Sequence, residues 1–179
     1  MSKADNGRQI PDGAVETFLL PQDGLLPNNP VLPVIVYHGA LRENPQDTER
    51  IFNDNGWLNS WQNGVFSYHH YHSNAHEVLG VMSGSASLQL GGNAGRTLAV
   101  SAGDVLVLPA GTAHKLLHSS AGFRVAGAYP GGADYNTRRA TPEDLAAALP
   151  EIAQVPLPDS DPVYGKSGPL LEAWDESGG

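Results

Sequence analysis

His70 and His72 stand one residue apart in a run of β-formers, a carboxylate follows at Glu77, and a further histidine lies at His114 behind Pro109-Ala110-Gly111. Imidazole nitrogens and carboxylate oxygens are the ligands of divalent transition metals, so the chemistry these residues offer is that of a metal centre. Five of the seven histidines, His69, His70, His72, His76 and His114, fall in or beside predicted strands. Density alone does not make a site. On a strand, residues i and i+2 project from one face, so His70 and His72 point together, about 7 Å apart along the backbone, while His69 and Tyr71 point away. Rings so placed can converge on one ion at about 2.0–2.2 Å. Glu77 comes after the turn Ser73-Asn74-Ala75, and the Pro and Gly before His114 fix a tight approach that aims it at a set point. The expected metal ligands are His70, His72, Glu77 and His114. Three neutral nitrogens and one carboxylate suit Zn, Fe, Mn, Ni or Cu rather than Ca or Mg. A divalent ion there leaves the pocket positive, which favours an anionic oxygen ligand or an ionised water.

Other residues are weighed against this set. His76 adjoins Glu77 and should point away from it along a strand, although twisting after the turn would exchange the two. His118 shares parity with His114 and Leu116, so it faces the cavity if its strand stays regular and solvent if it does not. Tyr68 has the parity of His70 and is a candidate for the pocket wall. Phe66 and Met82 are assigned to the core, and Arg124 is a candidate for holding an anion. No residue is given a catalytic role.

The elements that must position these groups are short strands. With 21 Gly and 14 Pro in 179 residues, the backbone is punctuated too often for long helices. Between Val65 and Tyr129, β-forming runs alternate with Gly-bearing turns: 65–72, 77–82, 86–90, 96–100, 105–108, 113–117 and 123–129. Seven strands at this spacing imply a barrel or sandwich. The GGNAG segment at 91–95 reads as a hairpin turn, since no helix-forming run follows it to cradle a phosphate. Upstream, 15–20 is an edge strand, 21–33 is too Pro-rich for regular structure, 34–37 is a strand, and 46–55 is a short helix capped by Gly56, with Trp57 and Trp61 packed beside it. Downstream, Thr141-Pro142-Glu143-Asp144 opens a helix expected to stop at Pro150. An extended tail then docks through Leu170, Leu171 and Trp174.

Composition narrows the function. The net charge of −9 and only 10 Lys and Arg argue against nucleic acid. No apolar run approaches the roughly 20 residues of a membrane span, and the first 15 residues lack the apolar centre of a secretory signal, so a cytoplasmic protein is expected. The absence of cysteine excludes disulfides, thiolate metal sites and cysteine nucleophiles. No G-x-S-x-G elbow is present either.

The spacing Gly64-x5-His70-x-His72-x4-Glu77-x6-Gly84 matches the first cupin motif at each fixed position, and Gly103-x5-Pro109-x-Gly111-x2-His114 matches the second, with 85–102 between them. His118 departs from the second motif, which usually carries Asn there. Beyond the motifs, LPVIVYHGA, HHYHSNAHEVLGVMSGSASLQLGG, AGDVLVLPAGTAHKLL, VAGAYPGG and VPLPDSDPVYGKSGPLLEAW resemble the bacterial single-domain cupins of the YjlB type over nearly the whole chain. The resemblance implies an all-β fold, a jelly-roll-like antiparallel cupin β-barrel with one or two short peripheral helices and an extended C-terminal tail. It also implies a mononuclear metal centre and a homodimer. One cupin domain is expected over 1–179, with a core of about 31–130, an N-terminal arm at 1–30 and a C-terminal helix and tail at 131–179.

Together these readings lead to a metal-dependent enzyme acting on a small polar molecule inside the barrel, by dioxygenation, isomerisation or decarboxylation. Its cofactor would be one divalent Zn, Fe, Mn or Ni ion. The alternative is a non-catalytic metal or small-ligand binding or sensor module, because fold alone does not imply catalysis.

Overall fold

The structure is a computed structural model and describes residues 11–175 together with the backbone of 4–5 and 8–9. Two short strands, β1 (Ala4–Asp5) and β2 (Arg8–Gln9), pair with each other. Then follow β3 (Val15–Phe18), β4 (Val34–Tyr37), α1 (Thr48–Asp54), which extends a turn of 3₁₀ helix at Pro45–Asp47, and β5 (Trp57–Asn63). The central strands are β6 (Glu77–Ser83), β7 (Ser85–Leu90), β8 (Arg96–Ser101), β9 (Val105–Leu108), β10 (His114–Ser119) and β11 (Arg124–Pro130). Two helices, α2 (Pro142–Gln154) and α3 (Pro169–Ala173), close the described chain.

The ladders form a six-stranded sheet in the order β3-β4-β9-β6-β11-β5 and a three-stranded sheet in the order β10-β7-β8, each antiparallel throughout. The two sheets face each other as a jelly roll and do not close into a ring of ladders. Val34, Val36, Leu79, Val81, Leu106 and Leu108 of the large sheet meet Leu88, Leu90, Leu98 and Val100 of the small one. The alternate residues Ile35, Tyr37, Val78, Val105 and Val107 point to the other face, where Phe52 of α1, Trp57, Leu170 and Trp174 cover them. The period of two therefore divides β4, β6 and β9 between two cores, and these strands read as unbroken apolar runs because both faces are covered.

Several expectations need correction. The strand expected at 65–72 is absent as a ladder: His70 and Tyr71 make single bridges to His114 and Arg138. The strand lies instead at β5, where Asn59, Ser60, Gln62 and Asn63 have little intrinsic β preference and pairing with β11 overrides it. Helix α2 runs past Pro150 to Gln154. The lost backbone bond is offset by Ile152, which packs with Leu26, Tyr71, Ala113 and Ala148 in a third cluster. Leu170 and Trp174 do anchor the tail, but within the short helix α3 and its cap. The Thr141 cap is as expected: its hydroxyl accepts from the Asp144 N–H at 3.1 Å. Among the described residues, no helix is long and apolar enough to cross a membrane.

Candidate metal centre

Glu77 is the first residue of β6, in the middle of the large sheet, and His114 is the first residue of β10, at the edge of the small one. Both positions are set by ladders. His70 is drawn to His114 by a reciprocal backbone pair, His70 N to His114 O at 3.2 Å and His114 N to His70 O at 3.0 Å. Two residues on, the His72 carbonyl accepts from the Gly111 N–H at 2.7 Å. Gly111 has a φ of 94°, and a Cβ there would meet the Asn28 carbonyl oxygen at 2.6 Å, so the turn before His114 requires glycine.

The main chain turns all three imidazoles the same way. Nδ1 of His70 donates to the Tyr68 carbonyl at 3.1 Å, Nδ1 of His114 to the Thr112 carbonyl at 3.0 Å, and Nδ1 of His72 to the Asn136 carbonyl. A carbonyl oxygen only accepts, so the ring proton sits on Nδ1 and Nε2 is left with a lone pair. The His72 and His114 Nε2 atoms each stand 3.4 Å from a Glu77 oxygen, Oε2 and Oε1 respectively. Oε2 accepts from the Tyr129 hydroxyl at 2.7 Å, and the Tyr129 oxygen accepts from Trp61 Nε1 at 2.9 Å. Oε1 is buried and receives no hydrogen bond.

Lone pairs facing a buried anion call for positive charge between them. The fold favours it at His72: burial disfavours the imidazolium, but the charge of Glu77 and its hydrogen bond outweigh burial and raise the pKa of His72. Burial likewise works to raise the pKa of Glu77, but the positive charge of His72, with the His114 ring beside it, outweighs burial and holds the carboxyl well below the usual range. His70 goes the other way, to about 3, through burial and then the neighbouring His114. A neutral imidazole and an ionised carboxylate are the forms a metal requires.

The spacing fits a metal too. Ligands about 2.1 Å from an ion at tetrahedral angles stand about 3.4 Å apart. Nε2 of His72, Nε2 of His114 and a Glu77 oxygen fall within 4.8 Å of one another, and this trio can hold a metal ion. His70 is outside the trio, its ring 4.1 Å from that of His114 and 6.1 Å from that of His72. All four residues line one cavity of about 470 Å³, whose lining also includes Trp61 and Phe66.

His76 does not share this cavity. It is buried behind the turn, where Nδ1 accepts from the Ala110 N–H at 2.9 Å and the ring lies 4.7 Å from Trp174. His118 is exposed, because an extra residue between Leu116 and His118 breaks the register of β10 and reverses the parity expected from His114. Tyr68 is 36% exposed; its ring stacks on Phe66 at 4.9 Å and lies under the Arg139 guanidinium. Phe66, expected in the core, is 52% exposed and lines the cavity. Arg124 donates to Gln62 at 3.0 Å on the outer rim.

Sequence reasoning missed the segment 134–139 altogether. It passes over His72 and Ser73: Tyr135 stacks on Tyr129 at 4.1 Å, Asn136 holds His72 by its carbonyl and Ser73 by its side chain, and Thr137 lines the cavity. Arg138 pins this strap, bridging backbone to Tyr71 and donating to Ser73 Oγ, Asp144 and Glu151 at 2.8–2.9 Å. Only an aromatic-polar run, Tyr135-Asn136-Thr137, marks it in the sequence, and nothing in that run indicates which strand it crosses.

With fold and site in view, known proteins supply a frame. Residues 59–124 match the Cupin domain family, which spans both histidine-bearing stretches. The chain is 46% identical over 159 residues to "Uncharacterized protein YjlB" of Bacillus subtilis (strain 168), covering 89% of this chain and 96% of that protein. The chain belongs to the cupin family. Within it, the chain is of the YjlB type. Among solved structures it is similar to a cupin 2 domain-containing protein from Halorhodospira halophila, at 13% identity, 85% and 88% coverage and a TM-score of 0.36. It is also similar to acireductone dioxygenase from Bacillus anthracis with a cadmium ion in its active center, at 15% identity over 53% of this chain and 63% of that one, with a TM-score of 0.38.

Proposed function

We propose that His72, Glu77 and His114 bind one divalent transition-metal ion, with His70 as the fourth ligand, and that the protein is a metal-dependent enzyme acting on a small polar molecule in the adjoining cavity. The observation that carries this reading is the common orientation of the imidazoles: three Nδ1–H groups are spent on backbone carbonyls. The lone pairs of His72 and His114 are thereby left facing one buried carboxylate, an oxygen of which has no donor. Such an ion supplies Lewis acidity or an oxygen-binding centre for dioxygenation, isomerisation or decarboxylation. The chain's own part is to fix the ligand tautomers, to neutralise charge through Glu77, and to exclude water with the wall of Trp61, Phe66 and Leu79. An open cavity beside the trio favours an enzyme over a closed binding module.

The reading extends to one cupin domain over the chain, supported by Leu170 and Trp174 of the tail packing into the same core as β4 and β9. The test is elemental analysis of protein purified without chelators. Near-stoichiometric metal is expected, and His72→Ala should lose it, with affinity falling at least about 100-fold. Full retention in that variant would sink the ligand assignment.

A further inference from the structure

The two oxygens of Glu77 are treated differently by the fold. The Trp61 indole is only a donor, and at 2.9 Å it gives its proton to the Tyr129 oxygen. Tyr129 has one proton of its own, and the acceptor in line for it is Glu77 Oε2 at 2.7 Å. The direction of the chain from indole to phenol to carboxylate is thus fixed by what each group can donate. Oε1, equally buried, has no donor at all.

From this asymmetry we infer that Trp61 and Tyr129 are positioning residues, reserving Oε2 so that Glu77 gives a metal ion one oxygen, Oε1, and not two. The inference rests on the metal reading above and adds how the carboxylate binds. The local structure is arranged for it. Trp61 of β5 stands opposite Gly127 of β11 in the ladder, and a register shift follows between Gly127 and Tyr129. A Cβ on Gly127 would lie 2.4 Å from Trp61 Cζ2 and 2.9 Å from its Nε1, so only glycine lets the indole lie flat there with its N–H directed at Tyr129. The Tyr129 ring is held on one side by stacking on Tyr135 at 4.1 Å and meets the His72 ring edge-on at 5.8 Å. A carboxylate that fills one coordination position leaves another for a ligand entering from the cavity, which Trp61 itself lines.

The experiment uses full-length protein labelled with ¹³C-glutamate and titrated with zinc. In the zinc-minus-apo infrared difference spectrum, a wide separation of the carboxylate stretches is expected, as for one-oxygen ligation. Tyr129→Phe keeps the ring stack and should narrow that separation as Oε2 joins the metal, with zinc affinity lowered about tenfold; Trp61→Phe should do so in part. A second readout needs no variant. Of the three tryptophans, Trp57 and Trp174 donate to the carbonyls of Ser160 and Pro33, so zinc should move the ¹⁵N indole resonance of Trp61 and leave the other two in place. A narrow separation in the unaltered protein, an unchanged one in Tyr129→Phe, or a Trp61 resonance indifferent to zinc would overturn the inference while leaving the metal reading intact. Zinc that does not bind at all would overturn both.

Discussion

The ligands of the candidate centre come from two unlike regions. Glu77 and His114 sit at the heads of β6 and β10, where ladder hydrogen bonds to β9 and β7 fix their backbone. His70 and His72 lie in an irregular stretch tied to the rest by single bridges and by the strap at 134–139. The first pair is placed by sheet register. The second is placed by a few isolated backbone bonds and by side chains: Asn136 on Ser73, and Arg138 on Ser73, Asp144 and Glu151. A site of this kind has one rigid wall and one that depends on a small polar network, and local opening should begin in the latter.

That contrast can be broken most severely at Arg138. Arg138→Ala removes bonds to three partners at once, so it should cost about 1–2 kcal/mol in thermal stability. It should also speed amide exchange at 70–73 and 134–139 well ahead of β6. Equal exchange in both regions would show that the strap is not held by this network. A smaller effect is expected from acid on the metal-free protein. Asp144 is held below its ordinary 3.8 chiefly by the Arg139 N–H, and Glu151 below its ordinary 4.5 chiefly by the Ser73 hydroxyl, with Arg138 adding to each against burial. A carboxyl whose pKa is lowered on folding stabilises the folded state above its unfolded value and loses that contribution as pH falls through the folded one. Strap protection should therefore be full above about pH 4.5 and decline below about pH 4, while β6 keeps its protection. The smallest effect falls on the helix that carries Asp144 and Glu151: Thr141→Ala deletes the cap and should cost about 1 kcal/mol, read from denaturant midpoints, with metal affinity unchanged.

The same division explains what could be read in the sequence. β6, β7 and β9 were visible as β-branched and leucine-rich runs, and the turn before His114 was visible in its Pro and Gly. Strand parity separates His70 and His72 from His69, and in the structure His70 and His72 line the cavity and His69 does not, although the stretch is bound to His114 by a single bridge and not by a ladder. Parity failed at His118, where one extra residue in β10 leaves no mark in residue type. Trp57 to Asn63 is polar enough to read as a loop, and its strand character comes from β11. Trp61 reads as packing and Tyr129 only as the end of a strand, because a hydrogen-bond chain joining residues 61, 129 and 77 exists only in three dimensions.

One property of the centre concerns inheritance. The acceptors that orient His70, His72 and His114 are carbonyls of residues 68, 136 and 112, which every amino acid possesses. Side chains at 68 and 112 are thus free to change without disturbing the imidazole tautomers, whereas Asn136 also holds Ser73 through its side chain. The readiness of the centre for a cation travels with the path of the backbone, and divergent sequences that keep this path keep it as well.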